Sequence, residues 1–301
     1  MAESRIALPL TGLYALVTCA AGGLFADRLW LQLGLLIVSS FLMMELNNSN
    51  ALIRIYSRMV SCSFLVLSVM SHFLFTDVEC GIVEACFVAF YLFLFGAYQN
   101  KRSVGRVFYA FVMLGVASTM FVQILYFVPV IWIMLYTNIM VGNLRSILAS
   151  VLGLFVPYWF VITYCIYFDR LDFVGSHFLS LVQFGALDLW LSMPFSQLLT
   201  IVFVIVLSIV GMIHFRLNNY KDKIRTRMLF EFFSVMAIFT IIFMILQPHQ
   251  LHYLLALLIV STSPMIGHYI ALTHTLFTNI SFYVILFVSL VLTVCNIWLP
   301  F

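Results

Sequence analysis

An all-α, polytopic transmembrane helical bundle of about eleven spans is the fold this sequence predicts, and three observations predict it. Of 301 residues, 64% are apolar and only 8% are charged, against about 45–50% and about 25% in soluble domains. The apolar positions fall in continuous runs of roughly 20 residues, the length a helix needs to cross hydrocarbon, not in the shorter alternating runs of barrel strands. Short polar, charged or proline-bearing connections separate the runs. The chain reads as a single integral membrane domain over 1–301. The same composition excludes a nucleic-acid binder, a disordered chain and a secreted disulfide scaffold.

The spans follow in order, each bounded by residues that lipid rejects. The first runs from Ala7 to Phe25, before Asp27 and Arg28, and the second from Leu29 to Glu45, closed by Asn47 and Asn48. Met59 to Thr76 follows Arg58, and Gly81 to Tyr98 lies between Glu79 and Lys101. Val107 to Leu125 follows Arg106, and a short run from Val128 to Val141 contains Pro129. Ile147 to Phe168 ends at Asp169, Phe195 to Phe215 ends at Arg216, and Met228 to Leu246 follows Arg227. Tyr253 to Leu272 and Phe277 to Leu299 complete the set. Asp172 to Pro194 is apolar but carries His177, Gln183 and Asp188. It is expected to form an interfacial or re-entrant helix on the outer side, with Trp190 at headgroup depth.

Charge sets the orientation. With the N-terminus cytoplasmic, every Lys and Arg except Arg28 and Arg170 falls inside, while Asp27, Asp77, Glu79, Asp169, Asp172 and Asp188 fall outside, as the positive-inside rule requires. A further span between Asp172 and Pro194 would place the basic stretch Arg216–Arg227 outside. The cysteines form no disulfide or zinc pattern: Cys19, Cys62, Cys86, Cys165 and Cys295 sit in apolar runs and only Cys80 in a connection. Leu16-Val-Thr-Cys19 mimics a lipoprotein cleavage site, but Thr18 suits that role poorly and more membrane follows.

A displacement of 171 residues pairs Leu46-Asn-Asn48 and Ile53-Arg54 with Leu217-Asn-Asn219 and Ile224-Arg225, and Gly96 and Tyr98 with Gly267 and Tyr269. A weak parallel repeat, about 29–125 and 195–299, would give this pattern, and chance identity in so biased a composition is the simpler reading. Three stretches carry a family resemblance. They are Glu45-Leu-Asn-Asn48 with Arg54 and Arg58, Gly96-Ala-Tyr-Gln-Asn-Lys101 with Val104-Gly-Arg-Val-Phe-Tyr-Ala110, and Arg145 through Pro157 to Trp159. They resemble an uncharacterised family of polytopic integral membrane proteins of Bacteroidetes, some of whose members bear a carotene oxygenase-like label. The resemblance covers most of the chain and implies the inner membrane of a Gram-negative bacterium. It carries no activity.

An iron oxygenase needs several histidines converging on one metal. His72, His177, His214, His249, His252, His268 and His274 are instead scattered in depth and side, so no metal and no cofactor is expected. Three polar groupings stand out. In the tenth span, Ser261, Thr262, Ser263 and His268 flank Pro264 and Gly267 near predicted mid-bilayer. Pro264 frees a carbonyl there, so a broken helix could bind substrate; a kink capped by one hydroxyl is the simpler reading. A similar pair, Gly153 and Pro157, is expected to pack, with Tyr158 and Trp159 beside it. On the cytoplasmic side, Glu45, Asn47, Asn48, Arg54, Arg58, Arg225, Arg227 and Glu231 could form one network that gates the bundle or holds an anionic lipid; simple anchoring is the alternative. On the outer side, Asp27, Asp169 and Asp172 could serve an enzyme acting on a lipid-linked substrate, and Glu84 is the most deeply embedded acid. Many spans, no soluble domain and no nucleotide-binding loop favour a secondary transporter or flippase-like carrier of a small or lipid-linked substrate. A membrane enzyme, glycosyltransferase-like, or a scaffold subunit is the alternative. The bilayer and an anionic or lipid-linked ligand are the expected partners.

Overall fold

The computed structural model describes residues 6–182, 193–273 and 275–298. Asp188, Gln183, Trp190 and His274 therefore lie outside the described residues. Among those described, every regular element is helical: α1 (Ala7–Ala21), α2 (Trp30–Asn50), α3 (Met59–Met70), α4 (His72–Phe75), α5 (Val78–Phe95) and α6 (Val104–Met120) come first. A 3-10 turn, Val122–Phe127, then leads into α7 (Val128–Thr137), followed by α8 (Leu144–Tyr167) and α9 (Leu171–Leu179). After it come α10 (Phe195–Asn218), α11 (Ile224–Leu246), α12 (Leu251–Leu272) and α13 (Leu276–Trp298). Seven of these, α2, α5, α8, α10, α11, α12 and α13, are long and apolar enough to cross a membrane. The other predicted spans coincide with shorter apolar helices, α1, α3, α6 and the 122–137 pair.

Local chemistry explains several boundaries. Asp77 caps α5 by accepting from the Glu79 amide at 2.9 Å, and Asn143 caps α8 by accepting from the Ser146 amide at 2.7 Å. Pro129 occupies the first turn of α7, where no donor is lost. Ala51 leaves α2, and Gln99 follows α5, in the left-handed region at φ 48° and 56°. The third predicted span is interrupted. Ser71 (φ −88°, ψ 55°) separates α3 from the single turn of α4.

Side-chain contacts sort the connections into two ends. At one end Arg225 meets Asn50 and the Phe95 carbonyl, Asn138 meets Glu231, Asn143 meets the Lys101 carbonyl, and His268 meets Asp222. At the other, Gln32 meets the Thr76 carbonyl, Tyr253 meets Glu79, and Gln123 and Tyr126 meet the carbonyls of Ser180 and Leu181. All described Lys and Arg except Arg28 and Arg170 belong to the first, basic end. The second end holds Asp27, Asp77, Glu79, Asp169 and Asp172. Helix α8 ends at this acidic end and α10 begins there.

Helix α12 is the axis of the bundle, buried along almost its whole length. It packs against α3, α5, α10 and α11. Close backbone approach requires glycine at Gly267, where a Cβ would lie 2.9 Å from Val60 Cα of α3. Helices α6 and α8 run parallel on the same principle: a Cβ on Gly153 would lie 2.6 Å from the Phe108 carbonyl, and one on Gly115 2.9 Å from the Leu154 carbonyl. Tyr158 is buried and donates to the Ser118 carbonyl, while Trp159 faces outward. Gly153 and Pro157 thus serve packing.

Candidate functional site

The Ser261–His268 segment is not a broken helix; α12 continues through Pro264 without interruption. Its three hydroxyls are disposed differently. Ser263 donates to the Ile259 carbonyl at 2.6 Å, and Ser261 pairs with the buried Tyr91 hydroxyl at 2.9 Å, whereas Thr262 Oγ1 has no partner. His268 lies one turn from the end of α12 rather than at mid-depth. Its Nε2 is 3.1 Å from Asp222 Oδ2, the one pair within ion-pair distance among the described residues.

Around this pair the chain builds a closed polar centre at the basic end. Both side chains are buried, at 1% and 2% exposure. The rings of Phe215, Phe230 and His214 surround the imidazole at 5.3, 5.0 and 5.8 Å between centroids. Arg227 Nε donates to the Asp222 backbone carbonyl at 3.0 Å, which fixes the loop that carries the acid. Asp222 Oδ1, His268 Nδ1 and both ring nitrogens of His214 are buried without a hydrogen-bond partner. Buried polar atoms left unpaired are costly.

The anticipated single network at the basic end is instead divided. Arg225 Nη2 donates to Asn50 Oδ1 at 2.6 Å and to the Phe95 carbonyl at 3.3 Å, and its guanidinium lies 5.6 Å from the Tyr98 ring. It joins α2, α5 and α11. Glu231 accepts from Asn138 at 3.0 Å, joining α7 to α11. Asn47 donates to the Ser57 carbonyl, and Arg58 to the Tyr56 hydroxyl. Glu45, Asn48 and Arg54 make no side-chain hydrogen bond among the described residues, and Arg54 is exposed. The repeat counterparts Arg54 and Arg225 therefore have different surroundings. Asn50, Asn138 and Asp222 were the residues sequence reasoning missed; Asp222 had a signal, as the one acid within the basic stretch 216–227.

The acids at the other end do not converge. Asp27, Asp169 and Asp172 are all exposed; Asp27 lies in the α1–α2 connection, far in the chain from Asp169 after α8 and Asp172 in the first turn of α9, and among the described residues none of them forms an ion pair. Glu84 stands apart, accepting from Ser68 at 2.8 Å. Among the described residues no three of His, Cys, Asp and Glu come together as metal ligands. His72 is buried against Gly22, and His177 meets the Ser118 carbonyl at 3.0 Å.

Two apolar grooves flank α1. One, about 290 Å³, is bounded by α1, α3, α10, α12 and α13, with Leu10, Val66, Leu207, Ile266, Ile270 and Ile285 among its walls. Of its hydroxyls, Thr11 and Ser289 bond carbonyls of their own helices and Ser63 is the third, so the lining is mostly hydrocarbon. The other, about 510 Å³, lies between α1 and α2 over Leu65. Helix α1 itself buries only Ala15, Thr18 and Cys19. No family model, curated protein or solved structure matches the chain.

Proposed function

We propose that the protein is an inner-membrane carrier that moves an amphiphilic, lipid-linked substrate between leaflets, with the basic end and the N-terminus cytoplasmic. Eleven crossings accompany this reading, the four shorter apolar helices spanning together with the seven long ones. The observation that carries it is the 290 Å³ groove between α1 and α13. An apolar space of that size beside lipid neither holds water nor stays empty, since water finds no partners there and a void forfeits dispersion contacts. An acyl chain fills it. The walls reach Ile270 and Met59 at the basic end, next to Arg58, where an anionic headgroup meets positive charge. In this scheme Ile266 borders the chain, while His268 acts through its buried pair with Asp222 rather than by touching substrate.

The charge separation between the two ends supports the orientation, because cationic connections are retained in the cytoplasm. The Bacteroidetes resemblance supports the inner membrane. The test is lipid transfer in proteoliposomes, using a phosphatidylglycerol with a fluorescent headgroup label and an impermeant quencher. Transfer faster than in protein-free vesicles is expected, and Ser289→Trp, which fills the groove, should slow it severalfold while the protein elutes as before. Transfer no faster than in empty vesicles would sink the carrier reading.

A further inference from the structure

Helix α5 carries one polar stripe inward from the acidic end. Asp77, Cys80 and Glu84 recur at helical spacing on a single face. The Cys80 thiol donates to Asp77 Oδ2 at 3.2 Å, and Glu84 lies six residues further in than Val78, about 9 Å along the axis. Glu84 Oε1 accepts from Ser68 Oγ of α3 at 2.8 Å. The carboxyl borders a cleft of about 20 Å³ whose other polar walls are Gln32, Ser68 and Cys80, closed by apolar side chains of α2, α4 and α12. That is room for roughly one water. Among the described residues no Lys, Arg or His lies within ion-pair distance of Glu84.

A carboxylate so placed loses hydration with no cation to offset the loss, so it holds a proton or a bound cation. The cleft is too small and too poor in oxygen ligands for a coordinated metal ion, which needs several. We propose that Glu84 is a proton-binding site reached from the acidic end. On the carrier reading above, on which this last step rests, it is the group through which a proton gradient drives the carrier. Outside the cleft the stripe meets Asp77 and Glu79 of α5 and its cap, and His252 and Tyr253 of α12. Tyr253 donates to Glu79 Oε2 at 2.5 Å, and the His252 ring packs on Phe73 at 5.4 Å. These groups form the acidic mouth through which a proton is delivered.

The experiment uses the full chain in lipid nanodiscs with dicyclohexylcarbodiimide, a lipid-soluble reagent that modifies protonated carboxyls in apolar surroundings. Mass spectrometry should place an adduct on Glu84, absent in Glu84→Gln and retained in Asp77→Asn and Glu79→Gln. Labelling should fall about tenfold per pH unit once the site titrates. Infrared pH-difference spectra, which need no reagent access, should show a carboxyl band lost in Glu84→Gln. Glu84→Gln keeps the shape and an acceptor for Ser68, so the variant should fold, as its elution would verify. A Glu84 carboxyl band that does not change between about pH 5 and about pH 9 would overturn the proposal. So would protection from labelling by sodium at fixed pH, which would make the site a cation site. Intact Glu84 titration with no lipid transfer would remove the carrier reading and leave the proton site standing.

Discussion

Residue by residue, the axis helix is where single changes read out most clearly. Gly267 sits where the α3 backbone approaches α12, and a Cβ there would lie 2.9 Å from both Val60 N and Val60 Cα. Gly267→Ala should therefore cost about 1–3 kcal/mol through overpacking, although alanine is the better helix former. Thr262, one turn earlier, buries an unpartnered hydroxyl, so Thr262→Val should be neutral or mildly stabilising. Thermal unfolding in detergent compares the two; equal effects would contradict this packing. The sequence pointed to this segment for a partly wrong reason. Pro264 and Gly267 resembled a helix break, yet the glycine answers to a neighbouring backbone that is more than 200 residues away in the chain. His268 was legible as a polar residue in an apolar run. Its pairing with Asp222 was not, because the two lie 46 positions apart and only tertiary packing joins them.

At the scale of elements, most helices follow from hydropathy because lipid leaves the backbone no alternative to internal hydrogen bonding. The exceptions have local causes. The break at Ser71 lies inside a run that is apolar on both sides, so hydropathy carries no mark of it. The 3-10 turn 122–127 likewise joins two apolar stretches that the sequence separates only by Pro129. Helix α1 differs in attachment rather than in boundaries. It packs along α3 through Ala15, Thr18 and Cys19 and is held further by the Tyr14–Thr293 hydrogen bond at 2.7 Å, with open grooves on either side and nothing within 4 Å of a Cβ at Gly12. Few buried contacts mean low local stability. Hydrogen exchange by mass spectrometry in nanodiscs should show faster exchange in the first turns of α1 than anywhere in α12. Equal protection would contradict the loose attachment of α1.

For the whole molecule, the separation of charge was the most legible feature, and the structure gives it a geometric basis independent of hydropathy. Hydrogen bonds between distant connections gather Asn50, Phe95, Asn138, Asp222 and Arg225 at one end and Thr76, Glu79, Ser180 and Tyr253 at the other. The anticipated unity of the basic-end network was not legible, since which arginine finds which carbonyl depends on helix rotation and not on loop composition. The carrier and proton-site proposals both require these two ends to face opposite aqueous phases. The most direct measurement is cysteine accessibility in intact spheroplasts. Single cysteines are placed in a cysteine-free chain at Ser103 and Asn219 at the basic end and at Asp77 at the acidic end, then probed with an impermeant thiol reagent. Labelling of Asp77→Cys alone, with Ser103→Cys and Asn219→Cys reacting only after lysis, is the predicted result. Labelling of Asn219→Cys from outside, or of all three alike, would contradict it.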